Sequence, residues 1–388
     1  MKNNAGGKFW SFSFYLLFFA GAVAYFNYLA LFFKERGLSG SQIGVLMGVA
    51  SLVGLFSGPL WSGLADARRR HRLVLSTAIL GSVTAVFLFP YFHTFAWFLV
   101  LVVMQALFGG PIISLADNAT MAMLGEERHM YGRVRLGGTL GWGLAAPIVG
   151  AVVERYGLRF NFSIYAAFML LGLVTAQQLH FGRGPTERSF LTGVRELLAD
   201  RKWILFLAIV FVAGIGNAAI TSYLFLYLQE IGTSPIWMGW ALTIATAAEF
   251  PALFFADRLM KRLGARGLLA LGLSATGLRC MLYGVVGVPW MALAVQLLQA
   301  ATFPILLVAG VSYANENAPP GLGATAQSIF GSAFVGFGYA AGGFLGGVLL
   351  DYIGVRGMFF TFGAGILLAA LIFAMVQRGE IARRPAIL

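Results

Sequence analysis

Cysteine and charged residues are both scarce in this sequence. Of its 388 residues, one is cysteine and only 11% are Asp, Glu, Lys or Arg. The single cysteine, Cys280, excludes an intramolecular disulfide and any cysteine-based metal cluster. A soluble domain carries about 25% charged residues, so this chain has too few charges to cover a surface in water. Lipid must therefore surround much of it.

Motifs of ATP-driven transport and of metalloenzymes are missing as well. The sequence contains no phosphate-binding Gly-Lys-Ser loop, which argues against transport driven by ATP. It also contains no zinc motif and no membrane-protease signature. We therefore expect no catalytic residue, no metal site and no cofactor.

Apolar residues are abundant. They make up 59% of the chain, which includes 50 glycines and 35 phenylalanines, and the mean hydropathy is +0.82. A membrane-spanning helix needs about 20 apolar residues, so we predict an all-α membrane protein with twelve transmembrane helices. The first run is too long for the core of a signal peptide. The predicted spans are 9–33, 41–63, 73–92, 95–123, 134–153, 160–181, 203–228, 237–256, 266–286, 289–313, 325–350 and 357–377.

Lysine and arginine are distributed unevenly among the loops. With the N-terminus in the cytoplasm, the termini and the even-numbered loops carry 21 of them and the odd-numbered loops carry 5, and Arg279 lies within a span. Because cytoplasmic loops are enriched in basic residues, we expect both termini in the cytoplasm and a multi-pass protein of the inner or plasma membrane. The same bias explains the net charge of +12 without any nucleic-acid partner.

The two halves of the chain repeat one pattern. Residues 31–39 align with 226–234 at an offset of 195, and residues 154–159 align with 351–356 at an offset of 197. A parallel repeat of six plus six spans is the plan of transporters whose halves rock about a site near the membrane midplane. We therefore expect two six-helix halves that are related by a pseudo-twofold axis.

A polar stretch separates these halves. It begins at residue 182 and contains the amphipathic segment 189–198. We divide the chain into an N-terminal six-helix half (1–182), a cytoplasmic linker (183–202) and a C-terminal six-helix half (203–388).

Glycines recur every four residues in the fifth and eleventh spans. They are Gly137 and Gly141, and then Gly338, Gly342 and Gly346. Small residues at this spacing let helices approach closely, so we expect tight helix contacts at these positions.

The loop after the second span resembles a signature of the major facilitator superfamily. It reads Ser62-Gly-Leu-Ala-Asp66-Ala-Arg68-Arg-Arg70, with Ser62 where that family usually has Gly. A carboxylate at a helix end can bond the N-terminus of a neighbouring helix and pair with an arginine. By this resemblance Asp66 and Arg70, with Asp257 at the matching place in the second half, would gate the cytoplasmic side. The alternative is simple cytoplasmic anchoring.

A second set of residues resembles the lactose permease and phenylpropionate permease branch of this superfamily. Asp117 precedes a Gly-Arg-Val-Arg135 segment at the spacing typical of that branch, and Glu249 and Arg279 stand where the branch has a buried Glu and Arg. The resemblance implies the major facilitator fold. It also implies that Asp117, Arg135, Trp142 and Glu249 line a substrate cavity.

The same residues stand out on physical grounds. Asp117, Glu249 and Arg279 lie well inside apolar spans, and Arg135 lies near the end of one. A charge at mid-bilayer costs at least about 2.5 kcal/mol, so we expect the pairs Asp117–Arg135 and Glu249–Arg279. A carboxylate that loses its partner in the cavity could take up a proton, which makes Glu249 and Asp117 the candidates for proton coupling. The alternative is static ion pairs that fix helix packing.

Three further residues are candidates for substrate contact. Trp142 offers a flat apolar face to a sugar ring or an arene, unless it packs only in the core or against lipid. Asn27 and Asn217 are amides within spans, which either bond substrate or bridge helices. Gln299 and Thr302 stand where lactose permease has a His and a Glu for proton coupling, so we do not expect that machinery or galactoside specificity here.

These patterns predict a proton-coupled symporter that takes up a small organic solute by alternating access. Sugars, nucleosides and aromatic carboxylates all fit. The proton gradient would drive transport, the partners would be solute, protons and the lipid bilayer, and the protein would act as a monomer. The main alternative is a proton-coupled antiporter that exports drug-like or amphipathic compounds, since residues 146–150 faintly echo an exporter motif. A sensor on a transporter fold and a channel fit less well.

Overall fold

The computed structural model describes residues 5–181, 195, 197–319 and 322–382. Within these residues the chain is almost entirely helical and has no β-strand, which confirms the all-α fold. Most of the predicted linker, 183–202, lies outside the described residues, as does most of the amphipathic segment 189–198. The division into two halves and a linker stays a prediction.

The helices follow the apolar runs of the sequence. What we call the N-terminal half contains α1 (Ala5–Phe26), α2 (Leu29–Glu35), α3 (Gly40–Arg68), α4 (His71–Leu88), α5 (Phe95–Leu124), α6 (Tyr131–Tyr156) and α7 (Phe160–Ala176). What we call the C-terminal half contains α8 (Arg201–Glu230), α9 (Pro235–Phe254), α10 (Ala256–Val285), α11 (Pro289–Val295), α12 (Phe303–Asn317), α13 (Gly323–Gly331) and α14 (Tyr339–Ala382). Short 3-10 and π-helical stretches join some of them, at Phe89–Tyr91, Gly125–Met130, Gln296–Ala301 and Ser332–Gly338.

Nine stretches among the described residues are long and apolar enough to cross a membrane. Two of them, Phe95–Tyr156 and Thr325–Met375, have 62 and 51 residues, whereas one crossing needs about 20. Each contains a break, at Glu127 in the first and at Gly354, with a φ of 71°, in the second. Phe160–Ala176 is a shorter apolar helix of 17 residues. The protein is thus a multi-pass helical membrane protein, and the count of twelve spans stays a prediction.

Three predicted spans are less regular than single helices. The first consists of α1 and α2, with a break at Asn27 and Tyr28. The tenth consists of α11, the 3-10 stretch Gln296–Ala301 and α12, and the eleventh passes through α13 and a π-helical stretch into α14. Such local changes of helix type often mark functional sites.

Each half is a bundle, and the bundles meet along two crossings. In the N-terminal half α1 packs along α6 and α7, while α5 packs against α3 and α4. In the C-terminal half α14 packs along α8 and α10, and α10 packs along α12. The halves meet where α3 crosses α14 and where α6 crosses α9. We call the end of the bundle where α3 and α9 begin the distal end, and the end where α1 begins the terminal end.

The regularly spaced glycines lie at close helix contacts, as expected. A Cβ atom on Gly137 or Gly141 would clash with backbone carbonyl groups of α1. A Cβ on Gly338 would lie 2.9 Å from a Cα atom of α8, and one on Gly342 or Gly346 would meet side chains of α8. Larger residues at these positions would force the helices apart.

Candidate functional site

A cluster of polar residues lies between α1, α5 and α6. At its centre Asp117 Oδ1 accepts hydrogen bonds from Arg135 Nη1 at 2.7 Å and from the Tyr15 hydroxyl at 2.6 Å. The Tyr15 hydroxyl also lies 3.1 Å from Thr120 Oγ1. The pair Asp117–Arg135 expected from the sequence therefore forms. We call Tyr15, Asp117, Thr120 and Arg135 the N cluster.

The connection between α5 and α6 explains why this pair forms. Asp117 lies two turns before α5 ends, and Arg135 lies one turn after α6 begins. The short stretch Gly125–Met130 turns the chain back, so the two side chains meet near one level. About a third of each side chain is exposed, 33% for Asp117 and 32% for Arg135, so a solute could reach the pair.

Aromatic rings line one side of the N cluster. The Arg135 guanidinium lies 4.9 Å from the centroid of the Tyr15 ring and 5.4 Å from that of Phe19, which are favourable cation–π distances. The Phe19 ring in turn lies 6.4 Å from the Trp142 ring at an interplanar angle of 65°. Trp142 is half-buried and lies two turns from Arg135 on α6. The cluster thus joins a charged pair to an apolar wall.

A second polar cluster lies between α9, α10 and the broken tenth span, and its contacts differ from the pairing expected from the sequence. Glu249 and Arg279 were expected to pair directly, and this expectation is wrong. Gln299 lies between them: its Nε2 donates to Glu249 Oε1 at 2.6 Å, and its Oε1 accepts from Arg279 Nη1. We call Glu249, Arg279, Gln296, Gln299 and Thr302 the C cluster.

Arg279 is buried among neutral hydrogen-bond acceptors. Only 2% of it is exposed. Its guanidinium donates to Gln296 Oε1 at 2.5 Å, to the Tyr283 hydroxyl at 3.1 Å and to Thr302 Oγ1 at 3.3 Å. A buried charge must be solvated by such groups or paired, and here Glu249 supplies the opposite charge one amide away.

The sequence pointed to only part of the C cluster. The comparison with lactose permease points to Gln299 and Thr302 but not to Gln296. Gln296 Nε2 is buried and has no hydrogen-bond partner among the described residues. The sequence feature that could have identified Gln296 is the occurrence of two glutamines, Gln296 and Gln299, within an apolar run. Hydrophobic periodicity does not predict the 3-10 turn that brings both side chains to Arg279.

The two intramembrane asparagines each bond a backbone carbonyl four residues earlier in the chain. Asn27 Nδ2 donates to Val23 O at 3.2 Å, and Asn217 Nδ2 donates to Ala213 O at 3.0 Å. Both side chains are buried, and neither amide bridges two helices among the described hydrogen bonds. A contact of Asn27 or Asn217 with substrate stays a prediction.

The residues assigned to gating lie at the terminal end. Asp66 Oδ1 lies 2.7 Å from His71 Nε2, and no ion pair between Asp66 and Arg70 occurs among the described residues. Asp257 is exposed in the first turn of α10. The latch implied by the motif is thus not formed in this conformation, and gating by Asp66, Arg70 and Asp257 stays a prediction.

The crossing of α6 and α9 fixes the relative level of the two clusters. Thr243 Oγ1 donates to Gly143 O at 2.7 Å, and a Cβ on Gly239 would clash with the backbone of Ala146. Residues later in α9 therefore contact residues earlier in α6. The two helices run antiparallel across the boundary between the halves.

This register brings the two clusters to a common depth. Glu249 lies about two turns beyond Thr243 on α9, and Arg135 lies about two turns before Gly143 on α6. Glu249 and Arg135 thus lie at nearly one level along two helices that cross between the halves. A solute between the halves could contact both.

A family model described as the MFS_1 like family matches residues 9–362. The chain belongs to this family. It is therefore a major facilitator transporter and not an enzyme, and the fold predicted by resemblance is confirmed.

Curated relatives of this MFS_1-like transporter carry several transport functions. It is 27% identical to the uncharacterized transporter YwbF of Bacillus subtilis, over 96% of this chain and 95% of the relative. It is 26% identical to a maltose permease of Geobacillus stearothermophilus, over 95% and 94% of the two chains. It is 25% identical to a probable 3-phenylpropionic acid transporter of Escherichia coli (89% and 92%), and 25% identical to the multidrug resistance protein MdtG of Salmonella dublin (89% and 89%).

Solved structures share the fold of this MFS_1-like transporter at low sequence identity. The crystal structure of the nucleoside transporter NupG superposes with a TM-score of 0.83 at 15% identity, over 97% of this chain and 99% of NupG. A bacterial homologue of the human lysosomal transporter Spinster superposes with a TM-score of 0.77 at 14% identity, over the full length of both chains. These likenesses concern the fold alone.

Proposed function

We propose that this transporter is a proton-coupled symporter that takes up a small organic solute by alternating access. It would lie in the inner or plasma membrane with both termini in the cytoplasm, and it would act as a monomer. The observation that carries the proposal is the common level of the two polar clusters along α6 and α9, the helices that cross between the halves. A solute bound there would contact both halves, as transport by two rocking halves requires.

The N cluster is the proposed solute-binding part of the site. The exposed edge of the Arg135–Asp117 pair can bond hydroxyl or carboxylate groups, because the guanidinium donates and the carboxylate accepts. The rings of Phe19 and Trp142 can pack against the apolar face of a sugar, a nucleobase or an arene. The relatives named above include a maltose permease and a probable 3-phenylpropionic acid transporter, and a nucleoside transporter shares the fold.

Glu249 is the proposed proton carrier. Its single described hydrogen bond comes from Gln299, and the amide still has a carbonyl oxygen for Arg279. Protonated Glu249 can therefore keep its place while Arg279 stays solvated by neutral acceptors. A carboxylate that can gain and lose a proton while its neighbours keep their hydrogen bonds is suited to a repeated transport cycle. Asp117 is the second candidate, and its direct pairing with Arg135 makes loss of charge there more disruptive.

Ligand-dependent thermal stability of the purified protein tests the site. Sugars, nucleosides and aromatic carboxylates would be screened as classes. A ligand present at 100 times its Kd adds about 2.7 kcal/mol to the free energy of unfolding, which raises the Tm measurably. The ligand shift should vanish in Arg135→Ala. It should persist in the matched control Arg133→Ala, since Arg133 is exposed two residues away on the same helix.

Export of amphipathic compounds is the second candidate function. It is favoured by the similarity to MdtG and by the exporter-like residues 146–150 on α6. If many unrelated apolar compounds raise the Tm of wild type and of Arg135→Ala alike, export is the better hypothesis. A direction assay in cells then decides, because uptake gives accumulation of the compound whereas export gives resistance to it.

A further inference from the structure

Two carboxylates at the distal end cross from one half of the transporter to the other. Asp351, on α14, accepts hydrogen bonds from the backbone N–H of Gly40 at 2.5 Å and of Ser41 at 2.7 Å. It also accepts from the Ser41 hydroxyl at 2.6 Å. Gly40 and Ser41 are the first two residues of α3. A side chain of the C-terminal half therefore caps a helix of the N-terminal half.

The reverse contact occurs on the other crossing. Glu154, near the end of α6, accepts a hydrogen bond through Oε2 from the backbone N–H of Ile236 at 3.1 Å. Ile236 is the second residue of α9. Here a side chain of the N-terminal half caps a helix of the C-terminal half.

The internal repeat relates these two contacts, so that the same kind of cap occurs once at each crossing. Glu154 and Asp351 are equivalent at the offset of 197, and Ser41 and Ile236 are equivalent at the offset of 195. Neither α3 nor α9 has an acidic residue in its own first turn. The first amides of a helix lack internal partners and carry partial positive charge, and at both crossings the anion comes from the opposite half.

A glycine one turn before each acid brings the helices close enough for the contact. A Cβ on Gly347 would clash with the carbonyl oxygen of Gly40, and a Cβ on Gly150 would clash with that of Pro235. Both crossings therefore combine a backbone contact with a carboxylate cap four residues later.

The two caps differ in strength for a reason visible in the sequence. The residue equivalent to Gly40 is Pro235, and proline has no backbone N–H. Glu154 therefore receives one described hydrogen bond, whereas Asp351 receives three. The cap of α3 by Asp351 is therefore expected to be stronger than the cap of α9 by Glu154.

We propose that Asp351 and Glu154 are gate residues that hold the distal end closed, and that both caps must break when this end opens during transport. The inference rests on the alternating access proposed above. Under the predicted topology the distal end faces the outside. The caps act only when the halves touch there, so they stabilise the closed distal end and contribute nothing to the open one.

The accessibility of a single cysteine tests this proposal. The only native cysteine, Cys280, is buried, and Cys280→Ser provides a background without thiols. Met47→Cys places the reporter on α3, where Met47 is 9% exposed and its Cβ faces Gly343 of α14. A hydrophilic maleimide then labels the reporter only when the distal end opens.

Loss of the caps should raise the labelling rate in a defined order. Asp351→Asn should raise it about fivefold, and Asp351→Ala should raise it further because both charge and acceptors are lost. Glu154→Gln should have a smaller effect. Glu230→Gln is the matched control: it removes an exposed acid at the distal end that caps neither α3 nor α9, and the rate should not change.

A gain-of-function variant keeps the test decisive if an acid substitution unfolds the protein. Pro235→Ala restores a backbone N–H opposite Glu154, so labelling should become slower than in the parent. Equal labelling in the Asp351 variants and Glu230→Gln, or faster labelling in Pro235→Ala, would overturn the proposal. Labelling needs neither a solute nor a proton gradient, so an error in the proposed substrate or coupling would not imitate either result.

Discussion

Gln299 joins Glu249 to Arg279: its amide nitrogen donates to Glu249 Oε1 at 2.6 Å while its carbonyl oxygen accepts from Arg279. The acid and the base of the C cluster are therefore neither paired directly nor independent. An amide can serve both because it has a donor at one end and an acceptor at the other. Because Gln299 lies between them, Glu249 can lose its charge while Arg279 keeps its neutral hydrogen-bond acceptors.

The first prediction concerns proton coupling. Glu249→Gln should retain exchange of labelled solute across proteoliposomes and should lose accumulation driven by an imposed proton gradient, because the neutral amide cannot carry the proton. Glu230→Gln, an exposed acid-to-amide change on α8, should keep both activities. Loss of solute binding in Glu249→Gln would instead assign Glu249 a direct contact with the solute.

The second prediction concerns the linking amide. Gln299→Leu removes an acceptor from the buried Arg279 and the donor to Glu249, so the free energy of unfolding should fall by about 2 kcal/mol. Thermal unfolding in detergent measures this change. Gln178→Leu provides a control, because Gln178 is an exposed amide on the other half with no described side-chain hydrogen bond, and its loss should change stability by less than about 0.5 kcal/mol. Equal Tm values for the two variants would show that the relay does not stabilise the C cluster.

The third prediction concerns the N cluster. Asp117→Asn removes the charge that pairs with Arg135 and should abolish gradient-driven accumulation. The amide keeps an oxygen that can accept from Tyr15, so the variant should fold. Uptake into proteoliposomes is the measurement. Full accumulation in Asp117→Asn would remove Asp117 from the mechanism and leave Glu249 as the candidate carrier.

The fourth prediction concerns the terminal end. Asp66→Ala should slow turnover with little change in the affinity for solute, since the Asp66 carboxylate forms no described hydrogen bond with either cluster and bonds only the His71 side chain. The rate of solute exchange and the ligand-induced rise in Tm measure the two properties separately. A large loss of affinity would contradict a gating role.

Much of the fold was predictable because lipid imposes strong constraints. A chain in a bilayer must satisfy its backbone hydrogen bonds within helices. Apolar runs of sufficient length therefore form helices, and the ends of the runs predict the ends of the helices. The predicted fourth span, 95–123, corresponds to α5 at Phe95–Leu124. The breaks within the first and tenth spans were not predicted, because the apolar residues on both sides of Asn27 and of Gln296 and Gln299 form runs long enough for a continuous helix.

The two clusters differ in how far they could be predicted. Asp117 and Arg135 are joined by a short turn, so local geometry nearly ensures that they meet. Glu249 and Arg279 lie on different helices, and their separation depends on how a third, broken helix inserts Gln299 between them. Buried charges in a membrane need a partner, and this requirement identifies Glu249 and Arg279. It does not show whether they pair directly or through Gln299.

The sequence by itself determined that this chain is a helical membrane protein, that its pattern repeats, and which charged residues cannot face lipid. These follow from hydropathy and charge, which act locally along the chain. The tertiary structure alone decided that Gln299 relays the C cluster, that α6 and α9 bring both clusters to one level, and that Asp351 and Glu154 cap helices of the opposite half. The physical reason is that these contacts join residues about 20 to 310 positions apart, and only the packing of the helices determines which of these side chains meet.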